Sequence, residues 1–164
     1  MGKCDVVFPT LALPNAERAV DCIMRSSPAG LIGHISVVLA PHHVGCVGQY
    51  EAGWRGGDSP YVALVNDDAF LTGKALTELL RIMDADPKIG AIGPNLPGQT
   101  PQGKLYPPET ESLVDVPFVI ASCMVVRRTA LERIEGCDTD FQHWAFDLDL
   151  CYRLREGGWR VVWA

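Results

Sequence analysis

The sequence predicts an α/β fold: one domain, residues 1–164, with a mostly parallel central sheet flanked by helices. Three observations carry this reading. Short runs rich in valine and isoleucine alternate with segments of helical period along the chain. Glycine, proline and Asn/Asp clusters punctuate the joins. The 164 residues are 48% apolar, enough for one core that buries roughly two thirds of the surface the unfolded chain exposes. No repeat, linker or low-complexity stretch divides the sequence.

Residues 4–8, CDVVF, are a valine-rich run stopped by Pro9, the pattern of a buried strand. Pro14-Asn15 opens a helix in which Ala16, Ala19, Val20, Ile23 and Met24 recur at helical spacing, ended by Ser26-Ser27-Pro28. Residues 35–40, ISVVLA, are the second strand. The glycine-punctuated stretch 45–57 holds at best a short helix, with Val47, Tyr50 and Trp54 on one side. Residues 61–65, YVALV, are the clearest strand. Thr72 caps a helix carrying Leu76, Leu79, Leu80 and Met83, which stops near Asp86-Pro87. Residues 89–93, IGAIG, form the fourth strand. Residues 94–115 are proline-rich without helical period and read as a long surface loop or loose hairpin. Residues 118–126, FVIASCMVV, are the fifth strand, followed by a short helix over 129–134. Asp147 begins a helix through Leu150, Cys151 and Leu154, closed by Gly157-Gly158, and 159–163, WRVVW, is the last strand. In such sheets ligands sit beyond the carboxyl ends of strands, which points to Pro9-Thr10 and to Asn66-Asp67-Asp68.

Lys and Arg number 14 against 20 Asp and Glu, a net charge of −6. No basic face exists for duplex phosphates, so no nucleic-acid partner is expected. No apolar run is long enough to span a membrane. The opening residues carry no apolar signal core, and Val6 stands where a myristoylation site needs Ser or Thr. A soluble cytoplasmic protein is the expectation. The six cysteines are scattered with no Cys-x-x-Cys pair, which argues against a zinc knuckle or a disulfide framework. They are expected as small buried hydrophobes.

Two adjacent carboxylates at the tip of an apolar strand, Asp67 and Asp68, repel each other and are tolerated where water or a cation compensates. A hard divalent ion shared with substrate phosphates is one such cation. A turn with an exposed cap is the other reading. Asp147 suits a helix cap, or alternatively a general base aimed into a cleft at the helix start. Asp149 is placed to pair with Arg153 four residues on. Gly45 and Gly48 allow backbone to approach a diphosphate. No GxGxxG follows the first strand and no GxxxxGK[ST] occurs, which disfavours dinucleotide and P-loop sites. His42-His43 is a loop pair whose side chains diverge, and His143 precedes Asp147. Trp54 and Trp163 are expected in the core, and Trp144 as an apolar platform for a sugar ring.

In this order, the segments resemble a family 2 glycosyltransferase of the glycosyltransferase A-type fold, in a minimal version. VVFPTLALPNAERAVDCIMRS resembles the opening strand, nucleotide loop and first helix. GCVGQYEAGWRGGDSPYVALVNDDAF resembles the glycine-rich helix and the strand delivering the Asp-x-Asp motif, and IGAIGPNL follows as in the family. PFVIASCMVVRRTALERIEGCDTDF resembles the acceptor-side strand with its double arginine. FDLDLCYRLREGGWRVVWA resembles the Glu-Asp-x-Asp-Leu-x-x-Arg-Leu segment and closing strand.

The resemblance implies an inverting, metal-dependent hexosyltransferase using a nucleotide-diphosphate sugar donor. Asp68 matches the main contact to Mn2+ or Mg2+, Asn66 the ribose or metal contact, and Asp67 an assisting group. Pro9 and Thr10 match the nucleobase loop, Gly48 the donor-side glycine, and Asp147 the catalytic base. The acceptor is a hydroxyl of a glycan, a lipid-linked glycan or another molecule, and a homodimer is an expected assembly. Several positions depart from the family. Phe146 replaces the Glu before the base, Glu51 replaces an Asn, and the Asp that usually ends the second strand has no counterpart. The sequence stops at Ala164, where members continue toward a metal-binding His. Metal retention is then expected to rest on Asp68, its neighbours and the donor phosphates. A catalytically degenerate nucleotide- or sugar-binding module is the alternative. A nucleotidyltransferase ranks last, because LALPNAER lacks a basic phosphate loop.

Overall fold

The computed structural model describes residues 1–39, 45–71, 73–94 and 113–164. His42, His43, Thr72 and most of the 94–115 stretch lie outside the described residues. The elements are β1 (Cys4–Thr10), α1 (Leu13–Ser26), β2 (Ile32–Leu39), α2 (Gly45–Trp54), β3 (Tyr61–Val65), α3 (Ala75–Ala85) and β4 (Ile89–Gly93). After them come β5 (Val114–Asp115), β6 (Cys123–Arg127), α4 (Arg128–Arg133), α5 (Phe146–Glu156) and β7 (Arg160–Trp163). Among the described residues seven strands form one sheet, in the order β2-β1-β3-β6-β4-β7-β5.

Strands β1, β2, β3, β4 and β7 run one way, while β5 and β6 run the other. The sheet is therefore mixed, with five of its seven strands codirectional. The reversal follows from β6, which is antiparallel to both of its neighbours, β3 and β4. Side chains alternate across the sheet with period two. Val62 and Leu64 of β3, with Met124 and Val126 of β6, face α2, α4 and α5. Tyr61, Ala63 and Val65, with Cys123 and Val125, face α1 and α3. Trp54 and Trp163 are buried in the first of these layers, as expected. All six cysteines are free, four of them buried.

Several elements differ from the sequence reading: β1 continues through Pro9 to Thr10, β2 begins at Ile32 and α2 extends to ten residues. The run 118–126 pairs only from Cys123 onward. Val119 and Ala121 are buried without being strand, because they pack beneath α5 rather than beside another strand. Helix α3 starts at Ala75 with Lys74 in the cap position and no side-chain cap bond.

The double arginine is split between the two faces. Arg127 donates from Nη2 to the carbonyls of Met83 (2.7 Å) and Asp86 (3.1 Å), and from Nε to Ile89 (3.0 Å), closing the end of α3. Arg128 turns inward and forms a buried ion pair with Asp5 at 2.7 Å. It also donates to the carbonyls of Ser59 (2.6 Å) and Trp54 (3.0 Å). Ser59 N–H donates to the same Asp5 oxygen, Oδ2, at 2.9 Å. Gly57 is required beside this pair, since a Cβ there would stand 2.1 Å from Asp5 Oδ2.

At the sheet edge, Arg160 of β7 holds Asp115 of β5 in a two-pronged pair (2.9 and 2.7 Å) and reaches Asp86 at 2.5 Å. The hydrogen bond from Arg160 holds the Asp115 carboxyl below its ordinary range. Asp86 is lowered chiefly by the Lys88 N–H, with Arg160 adding to it. A lowered folded-state value means stability that is present above the unfolded carboxylate value, about 4, and lost as pH falls through the lower folded one. Asp115→Asn should therefore lower Tm by about 1–2 °C at pH 7. The gap should close as pH falls below about 4. A gap unchanged across thermal melts at those pH values would remove the pair as its cause. Among the described residues no helix is long and apolar enough to cross a membrane.

Candidate functional site

Strands β1 and β3 pair in parallel with Val7 beside Leu64. Continuing that register by three residues brings Thr10 beside Asp67, at the carboxyl edge of the sheet. There the Thr10 hydroxyl donates to Asp67 Oδ2 at 2.5 Å and accepts the Ala12 N–H at 3.0 Å. A cleft of about 320 Å³ opens at this edge. Pro9, Thr10, Asn15, Cys46, Gln49 and the triplet Asn66-Asp67-Asp68 line it, with His143 at its side.

The triplet is divided in its commitments. Asn66 Oδ1 accepts the Tyr50 hydroxyl at 2.7 Å, so its amide N–H groups are what it has left to offer. Asp67 is committed to Thr10. Asp68 is exposed, and among the described residues its carboxylate has no hydrogen-bond partner. The turn reading also holds, because Ala69 N–H donates to Asn66 O at 3.0 Å. Burial pushes the Tyr50 hydroxyl well above its ordinary range, with nearby acidic groups including Asp67 adding to this. Tyr50 therefore stays a donor toward Asn66.

Helix α2 meets the cleft through Gly45, Cys46 and Gln49. Gly45 adopts φ +70, and a Cβ there would stand 2.1 Å from Gln142 O, so the close seating of residues 142–143 on the start of α2 requires glycine. Gly48 lies half-buried on α2 and is not among the residues lining the cleft. Gln49 is the residue that sequence reasoning missed. It is buried, and its amide ties β1 to β2 through the carbonyls of Thr10 (2.9 Å) and Val38 (2.8 Å).

Asp147 is not the cap of α5. Ala145 holds that position in the left-handed conformation, with φ 66 and no side-chain cap bond. Asp147 lies in the first turn, half-buried, where Oδ1 accepts the Leu148 N–H (3.0 Å) and Oδ2 the Ala121 N–H (3.3 Å). The Ala121 carbonyl in turn lies 3.1 Å from the Tyr50 hydroxyl. Asp147 is thus joined to Asn66 through Ala121 and Tyr50. It stands beside the cleft rather than in its lining. Burial, and then the charge of Asp147, raise the thiol of Cys46, which does line it.

The departures at Phe146 and Glu51 are packing residues. The Phe146 ring lies 5.5 Å from that of Tyr50. Glu51 accepts from Trp54 Nε1 (2.7 Å) and Cys137 N–H (2.9 Å), pinning the 136–137 turn to α2. Asp149 pairs with Arg153 at 2.7 Å as expected. Trp144 is 88% exposed.

This arrangement, an α/β sheet with a polar cleft at its carboxyl edge, is the glycosyltransferase A-type fold. Among solved structures, the mannosyltransferase PcManGT from Pyrobaculum calidifontis, in complex with GDP-Man and Mn2+, superposes with a TM-score of 0.78 at 18% identity. The alignment covers 99% of this chain and 56% of that one. GalNAc-T7 with UDP, GalNAc and Mn2+ gives 0.81 at 11% identity, covering 100% and 42%. The catalytic domain of Drosophila beta1,4galactosyltransferase 7, complexed with xylobiose, gives 0.72 at 16%, covering 99% and 65%. The chain thus spans about half the length of the first two. No protein-family model and no curated protein matches the sequence.

Proposed function

We propose that the protein is a metal-dependent, inverting glycosyltransferase that moves a sugar from a nucleotide-diphosphate donor to an acceptor hydroxyl. One observation carries this reading. The Asn66-Asp67-Asp68 tip of β3 and the Pro9-Thr10 end of β1 share one cleft, with the Asp147 carboxylate joined to it through Tyr50. Its fold is shared with structures that hold GDP-Man or UDP together with Mn2+.

Pro9 and Thr10 seat the nucleobase. The free N–H groups of Asn66 face ribose or phosphate oxygen, which suits this residue better to donation than to metal ligation. The oxygen donors present fit Mn2+ or Mg2+, which bind through one or two carboxylates, water and substrate phosphates. Asp68 would hold the ion, with Asp67 assisting. Among the described residues no three His, Cys, Asp or Glu side chains converge, so the donor diphosphate must complete the shell. When bound, the ion supplies positive charge to the departing diphosphate. Asp147 accepts the acceptor's hydroxyl proton as that oxygen bonds to the anomeric carbon. The bond from that carbon to the diphosphate oxygen breaks on the opposite side, and the configuration inverts.

Calorimetric titration of UDP-glucose and GDP-mannose, with and without MnCl2, tests the reading. Mn2+ should tighten donor binding, and Asp68→Ala should lose roughly a hundredfold in metal-stimulated turnover. Equal affinity and turnover in the variant would overturn the assignment. A second reading, a donor-binding module without catalysis, is favoured by the absence of a three-ligand cluster among the described residues and by Phe146 serving as packing. Nucleotide binding with neither transfer nor donor hydrolysis would select it.

A further inference from the structure

We infer that β2 pairs edge to edge with β2 of a second copy of this chain, antiparallel about a two-fold axis, joining two sheets into one. Among the described residues the sheet has two edges, β2 and β5, and they are built differently. At β5 the edge is two residues long, and its Asp115 is held by Arg160. Short length and charge are how a sheet edge avoids further pairing. Strand β2 is eight residues long and has neither safeguard. It contains no Pro, Lys, Arg, Asp or Glu, and His34 is its one ionisable side chain. The uncharged stretch is wider than the strand. Residues 26–50 hold no Asp, Glu, Lys or Arg, in a chain where these make up 21%.

Strand β1 is the only strand beside β2 among the described residues. A strand paired on one side turns the N–H and C=O of every second residue outward. No backbone group of the other described loops and turns meets those of β2. The side chains tell the same story. Ile35 and Val37 stand beside the fully buried Val6 and Phe8, on the α1 face of the sheet. Yet Val37 is 39% exposed, and Leu39 on the same face is 55% exposed. No residue of β2 is buried, whereas β1 is buried throughout.

An extended peptide could also lie on such an edge, but it would only move the open edge outward by one strand. A second copy removes the open edge of both chains, because the far edge of each is the guarded β5. Strand β2 is also complementary to itself. A two-fold axis between Ile35 and Ser36 would set Ile32 across from Leu39 and His34 across from Val37, so no ionisable side chain meets its own copy.

Sedimentation velocity over a dilution series tests the inference. The unaltered protein should reach twice the chain mass as concentration rises. Val37→Lys enters the interface twice and should weaken the dimer at least about tenfold. Leu148→Lys, an equally exposed apolar position on α5, should leave it unchanged. A protein that stays monomeric at every concentration would overturn the inference. So would a dimer indifferent to Val37→Lys, or one weakened as much by Leu148→Lys, since either places the contact on another face. Should Val37→Lys fail to fold, hydrogen exchange on the unaltered protein decides. Amide protection across residues 32–39 should rise with concentration, and protection independent of concentration overturns the pairing.

Discussion

Asp147→Asn is expected to keep donor binding within about twofold and to lose transfer by roughly 10²–10⁴-fold, the contribution of a positioned general base. The substitution preserves shape. The remaining side-chain oxygen still accepts one of the two N–H groups now shared between Leu148 and Ala121. The other faces an amide NH2, at the cost of one hydrogen bond, about 1 kcal/mol. The fold should tolerate that, since Asp147 is half-buried at a helix start. What the amide lacks is the basic lone pair that, in the proposed mechanism, would take the acceptor's proton. Nucleotide affinity by calorimetry, set beside product formation under saturating donor, separates the two effects. Unchanged transfer would exclude Asp147 as the base. Loss of both together would instead point to a collapsed cleft.

The largest effect on stability is expected at the other end of β1. Arg128→Met leaves Asp5 charged, 2% exposed and without its cation, and should cost about 3–5 kcal/mol. The pair has no slack to absorb the loss, because Asp5 Oδ1 already lacks a partner. Ser59 N–H is what remains on Oδ2, and the carbonyls of Ser59 and Trp54 lose their donors. Urea denaturation of the single variant and of the double variant Asp5→Leu with Arg128→Met measures this. The double variant should recover much of the loss, because an apolar pair leaves no buried charge unmet. If the single variant were as stable as the parent, the ion pair would be only a surface contact.

The parts of the fold legible in the sequence are those where one local signal coincides with its environment. Strands β3 and β4 are five-residue apolar runs buried throughout, and their limits match the sequence reading. The run 118–126 misleads for the same reason. Burial makes Phe118 to Ser122 read as strand, but apolar content does not say whether backbone partners lie alongside. The antiparallel β6 was equally hidden, because alternation of strands and helices carries no direction where a connection has no helix.

Within the site, Asn66-Asp67-Asp68 stood out because two carboxylates after an apolar strand need a physical excuse. The sequence offers Asp147 as a helix cap or as a general base, and of these the cap reading does not hold. The favourable cap chemistry of Asp lost to a tertiary contact, the Ala121 N–H, and Ala145 took the cap in a left-handed conformation. Gln49 left no signal, since a glutamine within a helix is ordinary until topology sets two strand ends against it. Gly48 illustrates the converse, a glycine suggestive in sequence that the helix carries away from the cleft lining.

Strand β6 has one more consequence. Among the described residues it is the only strand joining β2-β1-β3 to β4-β7-β5, since β3 and β4 each pair with it and not with one another. A ribosome must therefore deliver residue 127 before the two rafts can be riveted, and every pairing made by the rivet closes a loop of more than thirty residues. Closing long loops before their reward arrives makes folding slow. The seam also runs between the two proposed roles: Thr10 and Asp67 travel with the first raft, while α5 packs against the second. Because β6 precedes α5 and β7 in the chain, the nascent polypeptide can hold Thr10 and Asp67 in place before residue 147 has emerged, and the proposed proton acceptor would join the assembly last.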